Sequence, residues 1–451
     1  MKQLLAVQQK RGGRDVRGAG RGLLVLLSLL LLSLPRSMAQ PGAAPAQYAQ
    51  GFAPTPPSAG KPLLVAAGRR SPAPTPDAQP ILFLAAANEE PADESHAADQ
   101  PTSGSWRVEQ RRQVLRRFAV PAGGRPLALD ARYGRVQLTP WDRAEIRVEA
   151  ELVGRAETAA GARQVLDALG VQFLSYDAHS NGGVAVASQF GPALSGGRGA
   201  GSRYEINYRI WLPRTTALRL TAAFCDVTIG GELRGPTDLA VDYGTLRAGR
   251  LSGTPNRVRI SNGDCALAYA RQASLDARFA RLQLDEGRTV DLRSNYSDIS
   301  IGTVGSLTIH SKYGDVALGQ VQSLRGESGY SRFSVERLSQ ELDMDVQFSP
   351  DFEVRDFGPD FRQVTLDGGF STIRLGFAEA PEFRFDVSTE QGQLLVDSNL
   401  VRVLSQETGP RRSDVLGVFG LSEARHPGRP TPGAAGKVRV KVRHGTVRFS
   451  R

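Results

Sequence analysis

The chain has 451 residues, a formal net charge of +10, two cysteines and 40% apolar residues, enough for a sizeable core but too few cysteines for a disulfide-built scaffold. A net charge of +10 would suggest nucleic acid or an anionic membrane as partner. Residues 1–39, however, hold seven Lys or Arg against one Asp, so +6 belongs to that segment, +4 remains, and nucleic acid is not the expected partner.

Residues 1–39 read as a secretory signal peptide. A basic start (Lys2, Lys10, Arg11, Arg14, Arg17, Arg21) precedes the apolar run Leu23–Leu34, and small Ser37 and Ala39 sit where a signal peptidase cuts. That run is shorter than the roughly 20 residues needed to span a bilayer. An uncleaved anchor is the alternative. No later stretch is long and apolar enough to span, so the expected location is exported: periplasm, outer surface or extracellular. Residues 40–104, with PGAAPAQ, APTPPSAG and SPAPTPDAQP, cannot bury enough apolar surface to offset ordering entropy and read as a disordered linker.

From Trp106 the pattern alternates apolar and polar residues, as half-buried strands do. Residues 105–212 are expected to form a β-rich region (RRFAV, LALDARYGRVQL, AEIRVEAELV, VQFLSYDA, GVAVASQF, YEINYRIWLP). One helix is expected over about 157–169, with Val165, Leu166 and Leu169 as its apolar face and Gly170 as its stop.

An internal repeat dominates residues 213–403. Phe279, Tyr296, Tyr313 and Tyr330 recur at one constant spacing, and the columns Leu282/Ile299/Val316/Phe333 and Ser294/Ser311/Ser328 keep step with them. Phe224, Tyr243, Asn262, Phe348 and Phe370 extend the column at looser spacing. Coils of about 17–20 residues stacked at about 4.8 Å would pair every backbone group with its neighbours and build a continuous apolar core. The expected fold is therefore all-β, a stacked β-solenoid or parallel β-helix whose handedness the sequence leaves open.

Several columns carry possible chemistry. Tyr243, Phe279, Tyr296, Tyr313 and Tyr330 stand in or beside turns such as DYGTL, NYSDI and KYGDV, as a structural ladder or a sugar platform. RYGRV is a turn of the same kind. Arg281, Asp298, Asp315 and Arg332 share one repeat position and are expected to pair Asp with Arg between adjoining coils; a calcium site is the alternative. Cys225 and Cys265 fall two coils apart at different offsets, which predicts free, buried thiols.

Residues 404–436, including RPTPGAAG, read as a loop insertion. Residues 437–451, KVRVKVRHGTVRFSR, read as C-terminal capping strands: Lys437, Arg439, Lys441 and Arg443 guard an open edge or form a stripe for an anionic ligand.

The entry RRFAVPAGGRPLALDARYGRVQL, the early helix, the phrase YRIWLPRTTALRLTAAFCDVTIG and the serial YGD, YSD and YGT turns resemble the putative-adhesin family of exported bacterial β-repeat proteins, of Bacteroidetes type. The resemblance spans about residues 117–451 and implies fold and export; it supplies no catalytic residues.

His96, His179, His310, His426 and His444 lack metal-ligand spacing, and neither a nucleophile elbow nor a phosphate loop occurs. The expectation is a non-catalytic surface or envelope protein without cofactor. Its partner would be an envelope glycan or a surface protein. The alternatives are an envelope scaffold contacting another protein and a polysaccharide-active β-helix enzyme.

Overall fold

The computed structural model describes residues 107–121, 124–175, 182–194, 202–378, 382–420 and 436–451. They belong to the second of two compact units, Ala97–Arg451. The expected signal peptide (1–39) and linker (40–104) lie outside the described residues, as do residues 421–435 of the expected loop. The fold is all-β with one α-helix, and no described helix is long and apolar enough to cross a membrane.

The strands are β1 (Val108–Ala119), β2 (Leu127–Trp141), β3 (Glu145–Ala156), then α1 (Ala159–Asp167), β4 (Leu169–Ser175), β5 (Val184–Phe190), β6 (Ser202–Pro213) and β7 (Leu218–Leu233). Shorter strands follow as β8 (Thr237–Asp242), β9 (Thr245–Leu251) and β10 (Asn256–Ser261), then β11 (Asp264–Arg278), β12 (Arg281–Asn295) and the long run β13 (Asp298–Gln347). The last are β14 (Asp351–Phe357), β15 (Gln363–Gly369), β16 (Thr372–Gly376), β17 (Phe383–Glu390), β18 (Gln393–Leu395), β19 (Val401–Thr408), β20 (Arg412–Phe419), β21 (Lys437–Arg443) and β22 (Thr446–Ser450).

Helix α1 is shorter than its sequence pattern. Thr158 caps it by accepting a hydrogen bond from the Gly161 N–H at 3.1 Å, which satisfies one orphan donor of the first turn. It stops at Ala168 before reaching Gly170, because Leu169 and Gly170 enter β4 and pair with Phe190 and Gln189 of β5. Leu169 is buried from the strand instead of the helix face.

Parallel pairing carries the repeat. Asp264 of β11 stands opposite Arg281 of β12, and Arg281 opposite Asp298 of β13, so each level advances the chain by the same step. The step is longer between β9 and β11 (Thr245↔Asp264) and longer again between β13 and β15 (Glu341↔Gln363). Inward positions alternate with exposed ones along each strand, as in β21, where Val438, Val440 and Val442 are buried between exposed basic residues. These inward residues merge into one cluster running from Leu127 to Phe449.

The parallel ladder begins earlier than the regular aromatic spacing indicates. Strand β2 already pairs with the distant β7 (Leu127↔Leu218, Gly134↔Cys225), with the helix and the β3–β6 excursion between them in sequence. The excursion closes that end of the ladder: β3 pairs antiparallel with β1 and β6, and β6 pairs parallel with β2.

The C-terminal end departs from expectation twice. Residues 404–436 are not one loop, since β19 and β20 form an antiparallel hairpin over Val401–Phe419 whose register shifts between Val403 and Ser405. Nor is β21 an edge strand. It is inserted between β15 (Gln363↔Lys437) and β17 (Arg384↔Lys437), parallel to both, so Lys437, Arg439, Lys441 and Arg443 guard no open edge. Its valines fill a core position that needs neighbours on both sides. At the hairpin the outer strand is β19, paired only with β20, and its register shift interrupts the edge it presents.

Candidate functional site

The corners between strands repeat one unusual conformation. Tyr133, Phe224, Tyr243, Asn262, Phe279, Tyr296, Tyr313, Tyr330, Phe348, Phe370, Gln391 and His444 all have φ between 49° and 57°, the left-handed region that side chains other than glycine rarely enter. Each such residue costs about 1–2 kcal/mol of local strain. Two interactions offset it. Corner N–H groups reach the next level, as in Asn262 N to Arg278 O (3.0 Å), Phe279 N to Asn295 O (3.1 Å), Tyr296 N to Lys312 O (3.0 Å) and His444 N to Glu390 O (2.8 Å). The aromatic rings also stack, each pair adding about 0.5–1.5 kcal/mol beyond area burial.

The stack runs Tyr133–Phe224–Tyr243 (5.1 and 5.0 Å between centroids) and then Phe279–Tyr296–Tyr313–Tyr330–Phe348–Phe370–His444 (4.6–5.2 Å), with planes within 17° of parallel throughout. The sequence-predicted ladder residues Phe279, Tyr296, Tyr313 and Tyr330 are thus brought together. Tyr243 stands apart from them, across the Asn262 corner. Tyr133 joins the ladder beyond the residues that the spacing predicts, and Gln391 and His444 are further corners outside that spacing. Their signal lay in RYGRV, EQGQL and RHGTV, which share with DYGTL the residue–glycine pair followed by a polar and an apolar position.

The glycine after the corner answers a close approach. A Cβ at Gly263 would lie 1.9 Å from the Gly244 carbonyl oxygen, so one chain passes directly over the next there.

Stacking decides what the ladder can do. A ring with neighbours on both faces presents only its edge to solvent, so residues inside the stack cannot serve as sugar platforms, although they are half exposed. Beside these edges runs a groove of about 740 Å³, lined by Phe279, Tyr313, Tyr330 and Phe348 and by the outward column Asp276, Arg293, His310, Glu327 and Asp345. Asp276 stands opposite Arg293 in the ladder, but its carboxylate takes two bonds from Arg278 (3.1 and 3.0 Å). His310 faces Glu327 at 3.9 Å. Among the described residues no ion pair engages Arg293 or Lys312, which leaves two free cations in the groove.

The predicted charge column pairs in part. Arg332 grips both oxygens of Asp315 at 3.1 Å. Arg281, flanked in register by Asp264 and Asp298, turns to Asp264 at 3.8 Å, so the expected Arg281–Asp298 pair does not form. These pairs are solvent-exposed and worth at most about 1 kcal/mol each. Among the described residues no cluster of three or more His, Cys, Asp or Glu is arranged to hold a metal.

The C-terminal stripe is interleaved with carboxylates. Arg439 lies 3.5 Å from Asp386, Arg443 lies 3.9 Å from Glu390, and Lys441 stands opposite Asp367. It is a mixed-charge surface.

Cys225 and Cys265 are free and buried. Burial pushes the Cys225 thiol up to about 11 and the Cys265 thiol up to about 12. Both stay protonated near neutrality and are poor nucleophiles. At pH 8 neither should react with a thiol-exchange reagent in the native state, and both should react in denaturant; stoichiometric native labelling would contradict the burial.

No family model matches the sequence, and no curated protein matches it. Among solved structures, the chain is similar to a putative cell adhesion protein from Clostridium sporogenes (7% identity, TM-score 0.16, covering 75% of this chain and 99% of that one). It is also similar to putative adhesins from Parabacteroides distasonis (10%, TM-score 0.29, 75% and 97%) and Parabacteroides merdae (9%, TM-score 0.24, 75% and 96%).

Proposed function

We propose that this chain is an exported, non-catalytic binding module of a bacterial cell envelope, built as a stacked β-solenoid, that holds an acidic glycan along the groove beside its aromatic ladder. The observation that carries the ligand class is the pair of cations on adjacent levels, Arg293 and Lys312, that no ion pair among the described residues engages, beside ring edges and in a groove whose carboxylates Asp276, Asp345 and Glu327 are met by Arg278, Gln347 and His310. A linear polymer with spaced carboxylates meets both cations at once, and each contact is modest and sensitive to salt. The solenoid reading rests on the near-constant step between parallel levels and the recurring left-handed corner. Export rests on residues 1–39.

A second reading, an envelope scaffold that contacts another protein, draws on the exposed Val403, Leu404 and Leu416 of the β19–β20 hairpin. An envelope-polysaccharide array with the purified chain separates the two. Binding to uronate-bearing polymers should weaken about tenfold when Arg293 and Lys312 are both changed to Ser, equivalent to about 1.4 kcal/mol. It should persist when Lys437, Arg439, Lys441 and Arg443 are changed to Ser. Absence of any glycan signal would overturn the glycan reading in favour of the scaffold.

A further inference from the structure

The aromatic ladder has one interruption between its two stacked segments, at Asn262. Its backbone keeps the left-handed corner, with φ of 54°, so the level is present and only the ring is missing. The Asn262 side chain leans toward the preceding level, donating from Nδ2 to Asp242 Oδ1 at 3.2 Å. Tyr243 and Phe279 are stacked on their outer sides by Phe224 and Tyr296. The faces they turn toward each other have no ring between them.

The slot has a defined size. Two levels of strand spacing set those faces roughly 10 Å apart. A ring midway would sit about 5 Å from each, the spacing that the rest of the ladder adopts. Phe279 is the most exposed large apolar residue among those described, at 62%. It also borders two openings, the groove on one side and a cavity of about 330 Å³ lined by Gly263, Asp264 and Arg281 on the other.

The geometry points to the Asn262 gap as a subsite for a single pyranose ring, sandwiched between Tyr243 and Phe279. The polar rim selects a sugar over an aromatic side chain. A wholly apolar ring would desolvate the Asn262 carboxamide and the Asp242 carboxylate without replacing their hydrogen bonds, whereas ring hydroxyls can pair with both. The C–H faces of a pyranose meanwhile lie against the two aromatic faces. This rests on the glycan reading above and places one ring of the bound polymer at the Phe279 end of the groove.

The test measures binding of glucose, galactose, N-acetylglucosamine and glucuronic acid to the full chain by saturation-transfer NMR. Asn262→Tyr closes the gap with a residue that the same corner already holds at Tyr133, Tyr243, Tyr296, Tyr313 and Tyr330 with similar φ, so it should fold and melt no lower than the parent. It should weaken the best monosaccharide about tenfold or more. Phe279→Leu, which removes one face and keeps apolar bulk, should do the same. Phe370→Ala, stacked on both faces and outside the groove, should leave binding within about twofold. Monosaccharide binding that survives Asn262→Tyr would overturn the slot while leaving groove-dependent polymer binding intact. A parent chain that binds polymers but no monosaccharide would also overturn the slot, and loss of all saccharide binding would remove both readings.

Discussion

Replacing Phe377 by Ala is expected to lower the unfolding free energy by about 3–5 kcal/mol, the range for truncating a fully buried aromatic. Phe377 has no exposed surface, and its ring touches Phe357 (4.9 Å), Phe383 (4.5 Å), Phe419 (5.4 Å) and Phe449 (5.4 Å). Those residues belong to β14, β17, β20 and β22, and the Phe377 N–H donates to Ser450 O at 2.9 Å. One side chain therefore joins the parallel ladder, the hairpin and the inserted C-terminal strands. Little room exists for collapse, because these four rings are each held in a strand by backbone pairing. Urea unfolding of the variant against the parent measures the loss. A difference below about 1 kcal/mol would mean that the C-terminal strands do not close over this cluster.

That cluster was invisible in the sequence, and the reason is physical. A period shows only where successive levels of the ladder are successive in the chain, as from Cys265 to Val335. There, one side chain per level faces the same neighbour, and the columns align at a constant period. Strand β21 joins β15 from far along the chain (Gln363↔Lys437), and nothing local in KVRVKVR records that the partner lies so far back. The same alternation that places Val438, Val440 and Val442 inward is equally compatible with an edge strand, and for that reason Lys437 and its basic neighbours read as edge guards. The hairpin is hidden differently, since β19 is exposed along most of its length, Val403 and Leu404 included, so its apolar residues mark no core face.

The candidate site was half legible. The aromatic column and the cysteine placement follow from spacing alone. The ladder's limits as a sugar platform do not, because spacing cannot tell whether a ring face is covered. Nor does it say that Asp276 is taken by Arg278, which frees Arg293. Those are properties of side-chain direction across levels. They emerge only once the register fixes which neighbour each group can reach.

The exchange Asn256→Asp should destabilise the fold by about 3–5 kcal/mol near pH 7, although it alters no volume. Asn256 is buried, and its Nδ2 donates to the carbonyls of Leu251 (3.2 Å), Gly253 (2.7 Å) and Gln272 (3.1 Å), while Oδ1 accepts from Thr237 Oγ1 at 2.9 Å. This one amide fastens the Leu251–Asn256 turn to the next strand, a role that no repeat column announces. An aspartate would turn an acceptor toward three carbonyl oxygens and bury a charge without a counterion. Its folded-state pKa would therefore rise above the unfolded value of about 3.9. A group raised in this way favours folding fully only below its unfolded pKa, and that contribution is lost as pH rises through the folded pKa. The stability gap to the parent should accordingly shrink between pH 7 and pH 4. It should not close, since a protonated carboxyl offers one hydrogen where the amide offers two. Urea unfolding at pH 7, 5.5 and 4 reads this directly, and a gap that stays constant would show that the carboxylate had found water instead of the three carbonyls.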